Sequence, residues 1–367
     1  GYKWKAGIGD RDRRVPFPDP YWGRKHSNDV GIDEYLQFCE LVEAEPLICI
    51  SFGDGVESGR DLIEYCNGSV DTKWGGKRAE NGHPEPYNVK YWQIGNELVG
   101  EEYSAGCVEF CKMIREIQPD AIILSSDPTP ELFGKVGQYI DYACPHHYVP
   151  DLEQDEASIA HAVEIINQFG RAGEVKLGIT EWNISAGSWG LTRGKQYTLD
   201  SAMFTGRYLN LLNRHSDVVG IACRSNMNNS YCSGMIQTNP SGLFGTPSYY
   251  TMKLYSDNHL PVPVGVEGTP EGLDISACSS DEKDAVCVFA ANLTKEPIRI
   301  QLDLSGYGEG MQPVGGEVVC DTLDMRQPDI MNHFQVPDRI RTVGLAVAED
   351  SITIPALSVA AIRCEIR

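Results

Sequence analysis

Two short apolar runs in this 367-residue chain each end in a glutamate. One is Val89-Lys90-Tyr91-Trp92-Gln93-Ile94-Gly95-Asn96-Glu97, and the other is Val175-Lys176-Leu177-Gly178-Ile179-Thr180-Glu181-Trp182-Asn183. Both read as buried strands with an acidic last residue. A carboxylate at the C-terminal lip of a buried parallel strand does little for stability and is well placed for chemistry. Two such carboxylates are the minimum equipment for cleaving a glycosidic bond. The competing reading is electrostatic: a Glu after a strand also suits the positive N-terminus of the next helix.

Other residues near these lips could take part. The Asn96 amide could hydrogen-bond a sugar hydroxyl, or it could cap the following helix. Pro145-His146-His147-Tyr148 places two histidines side by side. Adjacent strand residues diverge, so the pair is a poor metal clamp, whereas His146 and Tyr148 share a face and could enter one site together. A satisfied core histidine is the alternative. Trp182, Trp189, Trp74 and Trp92 offer surfaces of the kind sugars stack on, although most tryptophans are simply core. Trp182 and Trp189 are the better placed, because they flank or follow a strand lip. There is no phosphate-binding glycine loop, nucleophile elbow or metal-ligand spacing, so no metal or cofactor is implied.

These residues need a scaffold. From about residue 28 to 223, helix-like and strand-like segments alternate. Asn28 is placed to cap a helix in which Ile32, Tyr35, Leu36, Cys39 and Val42 recur at helical spacing. Strands are expected at 46–51, 89–97, 121–125, 140–144, 175–183 and 218–223. Helices are expected at 61–66, 159–169 and 197–212, with another carrying Cys107, Phe110, Cys111, Ile114 and Ile117. The Gly/Pro/Asn-rich stretch 67–88 reads as a long functional loop. Repeated strand–helix units mean a parallel sheet with helices outside, and acidic residues after the strands favour a barrel mouth. After Asn258 the pattern changes. Pro261-Val262-Pro263-Val264 reads as a linker, and β-rich runs at 273–278, 285–292, 298–304, 317–323 and 351–363 predict an all-β sandwich or jelly roll. The expected domains are therefore 1–257 and 258–367.

Composition narrows the partners. The 52 acidic residues against 31 basic give a net charge of −21, a field that repels phosphate backbones and argues against nucleic acid. A neutral sugar would not be repelled. No apolar run reaches membrane-spanning length. Of the twelve cysteines, Cys278 and Cys287 are the best disulfide candidates, because they flank the turn 281–284 symmetrically. N-glycosylation sequons occur at Asn67, Asn183, Asn228 and Asn292. Gly1-Tyr2-Lys3-Trp4-Lys5 is not a signal peptide, and the chain reads as beginning partway through a longer protein.

With these residues in hand, the chain resembles glycoside hydrolase family 51, the α-L-arabinofuranosidases. The resemblance rests on Gly1-Tyr2-Lys3-Trp4-Lys5-Ala6-Gly7-Ile8-Gly9, Gly31-Ile32-Asp33-Glu34-Tyr35, Glu64-Tyr65-Cys66-Asn67 and Asn81-Gly82-His83-Pro84-Glu85-Pro86-Tyr87. It continues through the two glutamate motifs, Pro145–Tyr148 and Pro355-Ala356-Leu357-Ser358. It implies an α/β fold: a (β/α)8 TIM-type barrel of which this chain holds strands three to eight, followed by a C-terminal jelly roll or sandwich. It implies Glu97 as acid/base and Glu181 as nucleophile, with Asn96, His146, Tyr148 and Trp182 around the substrate. The implied activity is retaining release of terminal α-L-arabinofuranosyl residues from arabinan- or arabinoxylan-type saccharides. Two alternatives stay open. One is an endo-β-glucanase or other furanosidase on the same barrel, and the other is a carbohydrate-binding protein with little turnover. The first two barrel strands would come from another chain or a missing segment, and a homo-oligomer is a further expectation. A cytoplasmic location is the first expectation, an extracellular one the alternative.

Overall fold

The computed structural model describes residues 2–19, 25–185, 187, 190–230, 234–307, 310–348 and 351–366. Its α/β elements, in chain order, are α1 (Ile32–Leu41), β1 (Leu47–Ile50), α2 (Val56–Asn67), α3 (Lys73–Glu80), β2 (Tyr91–Ile94), α4 (Glu101–Ile117), β3 (Ile122–Leu124), α5 (Pro130–Val136), β4 (Tyr142–Ala143), β5 (His146–His147), α6 (Leu152–Gln168), β6 (Lys176–Trp182), α7 (Leu199–Arg214), β7 (Val219–Arg224) and α8 (Pro247–Asn258). The chain forms two compact units, Gly1–Pro145 with Ala160–Gly178, and His146–Ile159 with Ile179–Arg367. This division cuts inside β6 and differs from a boundary at residue 257.

In the first unit the strands of the main sheet pair in parallel, β1 with β2, β2 with β3, β3 with β4, and β4 with the start of β6, apart from a separate two-residue antiparallel pair of 17–18 with 25–26. Parallel neighbours need covered faces, which explains why these strands read as unbroken apolar runs. Trp92, Ile94, Ile123, Leu124 and Leu177 are all fully buried. Helix α4 buries Tyr103, Cys107, Phe110, Cys111 and Ile114, the stripe its sequence period predicts.

Two local expectations change. Stretch 67–88 is not all loop, because it contains α3. Thr72 caps that helix, its Oγ1 accepting from the Gly75 N–H at 3.1 Å. Two glycines inside α3 hid it from a propensity reading. Arg78, wholly buried, donates to the carbonyl oxygens of Tyr65 at 2.8 Å, His83 at 3.0 Å and Pro84 at 2.9 Å. Nor does Asn28 cap α1. The helix begins at Ile32, the Glu34 carboxylate accepts from the Gly31 N–H at 2.8 Å, and Arg14 grips the same carboxylate.

The second unit holds β5, β7, the end of β6, α7, α8 and the all-β region. That region has β8 (Val262–Val264), β9 (Leu273–Ser279), β10 (Ala285–Asn292), β11 (Met311–Asp321), β12 (Ile340–Leu345) and β13 (Ser358–Ile366). They form an antiparallel sheet in the order β8-β9-β10-β13-β11-β12, and a smaller sheet joins 298–300, 351–354 and 347–348. Alternation sorts β10 into two buried faces. Val286, Val288 and Ala290 pack with Ile300, Ile352 and Ile354, while Cys287, Phe289 and Ala291 pack with Leu199 and Met203 of α7 and Leu254 and Tyr255 of α8. Phe289 stacks on Tyr255 with ring centroids 4.1 Å apart.

The linker expected at Pro261–Val264 is the edge strand β8, paired with β9 through Val262 and Ser279. Its one proline, Pro263, suits an edge, where one row of N–H groups has no partner strand. The single run expected at 351–363 breaks at Pro355–Leu357 into two strands on different sheets. Helix α8 escaped the sequence reading because Ser248, Thr251 and Asn258 fill half its buried face. Cys278 and Cys287 do sit directly opposite each other, but both thiols are free. Cys278 Sγ instead accepts from the Leu260 N–H at 3.2 Å. Three sequon asparagines are engaged inside the fold: Asn183 and Asn292 are buried, and Asn67 donates to the Val89 carbonyl at 2.8 Å. Trp189 lies outside the described residues.

Candidate active site

Asn96 and Glu97 follow β2 and are both exposed. The lip that carries them is tightly built. Gly95 continues the ladder by donating to the Ile50 carbonyl at 3.0 Å. Its φ of +69° is a left-handed conformation that favours glycine, and an added Cβ would meet Leu98 Cδ1 at 2.8 Å. The Gly95 carbonyl accepts from Cys49 Sγ at 3.2 Å and from the Gln93 amide at 3.1 Å. Glu97 itself has φ +53°. The chain is then caught again where the Leu98 N–H donates to Ser126 Oγ at 2.8 Å. Two left-handed residues within three positions turn the chain sharply out of the sheet.

Glu181 lies near the end of β6. Parallel pairing with β5 puts His146 beside Glu181 and His147 beside Trp182. The Tyr148 hydroxyl donates to Glu181 Oε2 at 2.5 Å, and His146 Nδ1 lies 3.8 Å from the same oxygen. His146 Nε2 is 3.2 Å from Thr180 Oγ1, a contact that orients the ring. His146, Tyr148 and Glu181 thus meet, as the shared face of His146 and Tyr148 predicts. The arrangement fixes the Glu181 carboxylate through its Oε2 while leaving about a third of its side chain accessible.

Trp182 takes a different place from the one its sequence position suggests. It is 1% exposed, with its ring stacked on Tyr208 at 4.4 Å and the Arg224 guanidinium 6.0 Å from its centroid. It supports the strand and presents no open face for a sugar. On a strand, neighbours point to opposite sides, so with Glu181 on one side Trp182 turns inward on the other.

Several residues here escaped the sequence reading. The Asn183 N–H donates to the His147 carbonyl at 2.9 Å, its side-chain amide donates to the Ser225 carbonyl, and Ser225 N–H donates to the Trp182 carbonyl at 3.1 Å. Asn183 thereby ties the end of β6 to both flanking segments. His147 is buried, with Nδ1 2.7 Å from the Tyr208 hydroxyl and Nε2 3.0 Å from Ser158 Oγ. The sequence signal was present in the His-His pair and in Tyr208 on an apolar helix, but nothing local connects them.

Comparison with known proteins agrees with this picture. Residues 1–162 match the family model described as "Alpha-L-arabinofuranosidase 1 domain", and residues 180–358 match the "Alpha-L-arabinofuranosidase C-terminal domain". Among curated relatives, a probable alpha-L-arabinofuranosidase C of Aspergillus fumigatus is 29% identical over 60% of this chain and 53% of its own length. The chain thus spans about half of that relative. The alpha-L-arabinofuranosidase C of Emericella nidulans is 27% identical over 90% of this chain and 76% of its own length. The intracellular exo-alpha-(1->5)-L-arabinofuranosidase 1 of Bacillus subtilis is 23% identical over 92% of this chain and 78% of its own length. The crystal structure of the alpha-L-arabinofuranosidase from Thermotoga maritima in its arabinose complex superposes with a TM-score of 0.86, covering 100% of this chain and 85% of that one at 24% identity. The shared fold is a TIM-type barrel sheet followed by a C-terminal all-β region.

Proposed function

The chain belongs to glycoside hydrolase family 51, the α-L-arabinofuranosidases, and on that premise we propose that it is a retaining glycosidase releasing terminal α-L-arabinofuranosyl residues from arabinan- or arabinoxylan-type saccharides. The observation that carries the reading is the hydrogen bond from Tyr148 to Glu181 beside His146. A carboxylate held this way keeps one oxygen aimed, which is what a nucleophile needs. The relatives named for arabinofuranosidase activity supply the substrate class.

In the proposed reaction Glu181 attacks the anomeric carbon of the terminal furanoside. Glu97, in its protonated form, donates a proton to the departing glycosidic oxygen. A glycosyl-enzyme forms at Glu181. Glu97, now ionised, takes a proton from water, which displaces Glu181 and restores the original anomeric configuration. Its exposure suits an acid/base that must exchange protons with solvent in each cycle. Asn96 is assigned a hydrogen bond to a sugar hydroxyl. Tyr148 and His146 steady the Glu181 carboxylate, and Trp182 backs the strand. The chemistry needs the Glu97 and Glu181 carboxyl groups about 5–5.5 Å apart in the substrate complex.

The test is turnover of 4-nitrophenyl α-L-arabinofuranoside by purified protein, with the first-formed anomer followed by proton NMR. Release of the retained anomer supports the reading. An inverted first product, or binding without turnover, would sink it.

A further inference from the structure

Strand β5 is only two residues long and meets β6 at two positions, yet the residues around it touch Glu181. Backbone pairing that short is a weak anchor, so the position of His146 and Tyr148 must be held by something else. The buried side of β5 shows what holds it. His147, 3% exposed, contacts the Tyr208 hydroxyl and Ser158 Oγ through its two ring nitrogens. Tyr208 stacks on Trp182, the residue paired with His147 across the sheet. Asp155 of α6, 2% exposed, points Oδ1 at His147 Nδ1 from 3.8 Å, and its Oδ2 is buried without a hydrogen-bond partner among the described residues.

This geometry is wrong for an ion pair. A buried imidazolium and carboxylate would close to hydrogen-bond distance, and an ionised carboxylate would not leave an oxygen unsatisfied in the interior. Both ring nitrogens of His147 face hydroxyls, which can donate to one nitrogen and accept from the other, as a neutral imidazole requires. The other charged groups that act on the pair among the described residues push the same way. Asp151, before α6, disfavours ionisation of Asp155, His146 disfavours protonation of His147, and the Glu156–His215 pair lies on the exposed side. Burial accordingly pushes Asp155 up to about 7 and His147 down to about 4.

We propose that His147, Tyr208 and Asp155 are positioning residues: a buried unit that carries one proton on the acid rather than the base and locks β5 against β6, so that His146 and Tyr148 stay on Glu181. The locking role rests on the function proposed above, whereas the proton placement does not.

The signs make the proton placement measurable. Between roughly pH 4 and 6.5 the unfolded chain carries this proton on His147 and the folded protein carries it on Asp155, so the total is unchanged and the pair contributes no slope to stability. Each substitution uncovers one half. In D155N the folded state lacks the His147 proton that the unfolded chain binds, so Tm relative to wild type rises with pH across that window. In H147Q the folded state keeps an Asp155 proton that the unfolded chain releases, so Tm relative to wild type falls as pH rises. Nitrogen-15 NMR of wild-type protein labelled at histidine, near about pH 6, should show a neutral ring for His147. An imidazolium signature there, or Tm differences from wild type that change with pH in the same direction in the two variants, overturns the proton placement. The locking role is read from kinetics on 4-nitrophenyl α-L-arabinofuranoside, where H147Q should lower kcat about tenfold with KM within about twofold. Unchanged kcat overturns it. Absence of turnover in the wild type would count against the proposed function, while the NMR and Tm results would still decide where the proton sits.

Discussion

The Tyr148 hydroxyl and the Glu181 carboxylate are joined by a 2.5 Å hydrogen bond, although 33 residues separate them in the chain. The contact exists because β5 and β6 are parallel neighbours in a register that sets His146 beside Glu181, leaving Tyr148 just beyond. A short bond to an ionised group is the stronger kind, worth about 1.5–3 kcal/mol. Replacing Tyr148 by Phe removes the donor and keeps the ring. The expected outcome is a loss of roughly 10- to 100-fold in kcat/KM on an aryl arabinofuranoside, with an unchanged circular dichroism spectrum. Activity within twofold of wild type would show that Glu181 needs no such partner.

The two glutamates should fail differently. E181A is expected to abolish the chemical step, a loss of about 10³-fold or more in kcat on every substrate. E97A should cost about 10²–10⁴-fold on an arabino-oligosaccharide and far less on a dinitrophenyl arabinofuranoside, whose leaving group needs no proton. Kinetics of both variants on both substrates check the roles. Equal losses for E97A on the two substrates would remove Glu97 from the acid role.

Gly95 is the hinge of the Glu97 lip. Its left-handed backbone and the 2.8 Å approach that a Cβ would make to Leu98 both oppose any side chain. G95A is expected to destabilise the protein by about 1–3 kcal/mol and to lower kcat by displacing Asn96 and Glu97. Thermal unfolding combined with kinetics tests this. A variant as stable and active as wild type would show that the lip tolerates an ordinary residue.

Arg78 should matter for stability without touching the chemistry. Its guanidinium satisfies carbonyl oxygens of Tyr65, His83 and Pro84, which Met cannot do. R78M is expected to cost about 2–4 kcal/mol, a fall in Tm of roughly 5–10 °C. The stretch 81–87 should become the first site of limited proteolysis. Unaltered cleavage there would mean that the loop is held by other contacts.

Much of the scaffold could be read from pattern alone. The apolar runs at 91–94, 122–124 and 176–182 announce buried parallel strands because both their faces need cover, and α4 is legible from its repeating buried residues. Where polar side chains do the packing, the pattern fails. Helix α8 buries Ser248, Thr251 and Asn258, α3 carries two glycines, and the prolines in and just before β8 imitate a linker. In each case a contact distant in sequence overrides the local propensity.

The candidate site divides in the same way. Residue type and spacing along the chain were enough to choose Glu97, Glu181, Asn96, His146 and Tyr148, because a strand's period and its acidic end are local properties. Whether Trp182 faces out or in, which hydroxyl holds Glu181, and why the second histidine of the pair is buried are not local. They follow from the register of β5 on β6 and from Tyr208 and Asp155 arriving on separate helices. Side-chain chemistry is written residue by residue, but burial and hydrogen-bond partnership come into being only when the chain folds back on itself, and these set the surroundings in which each carboxyl group titrates.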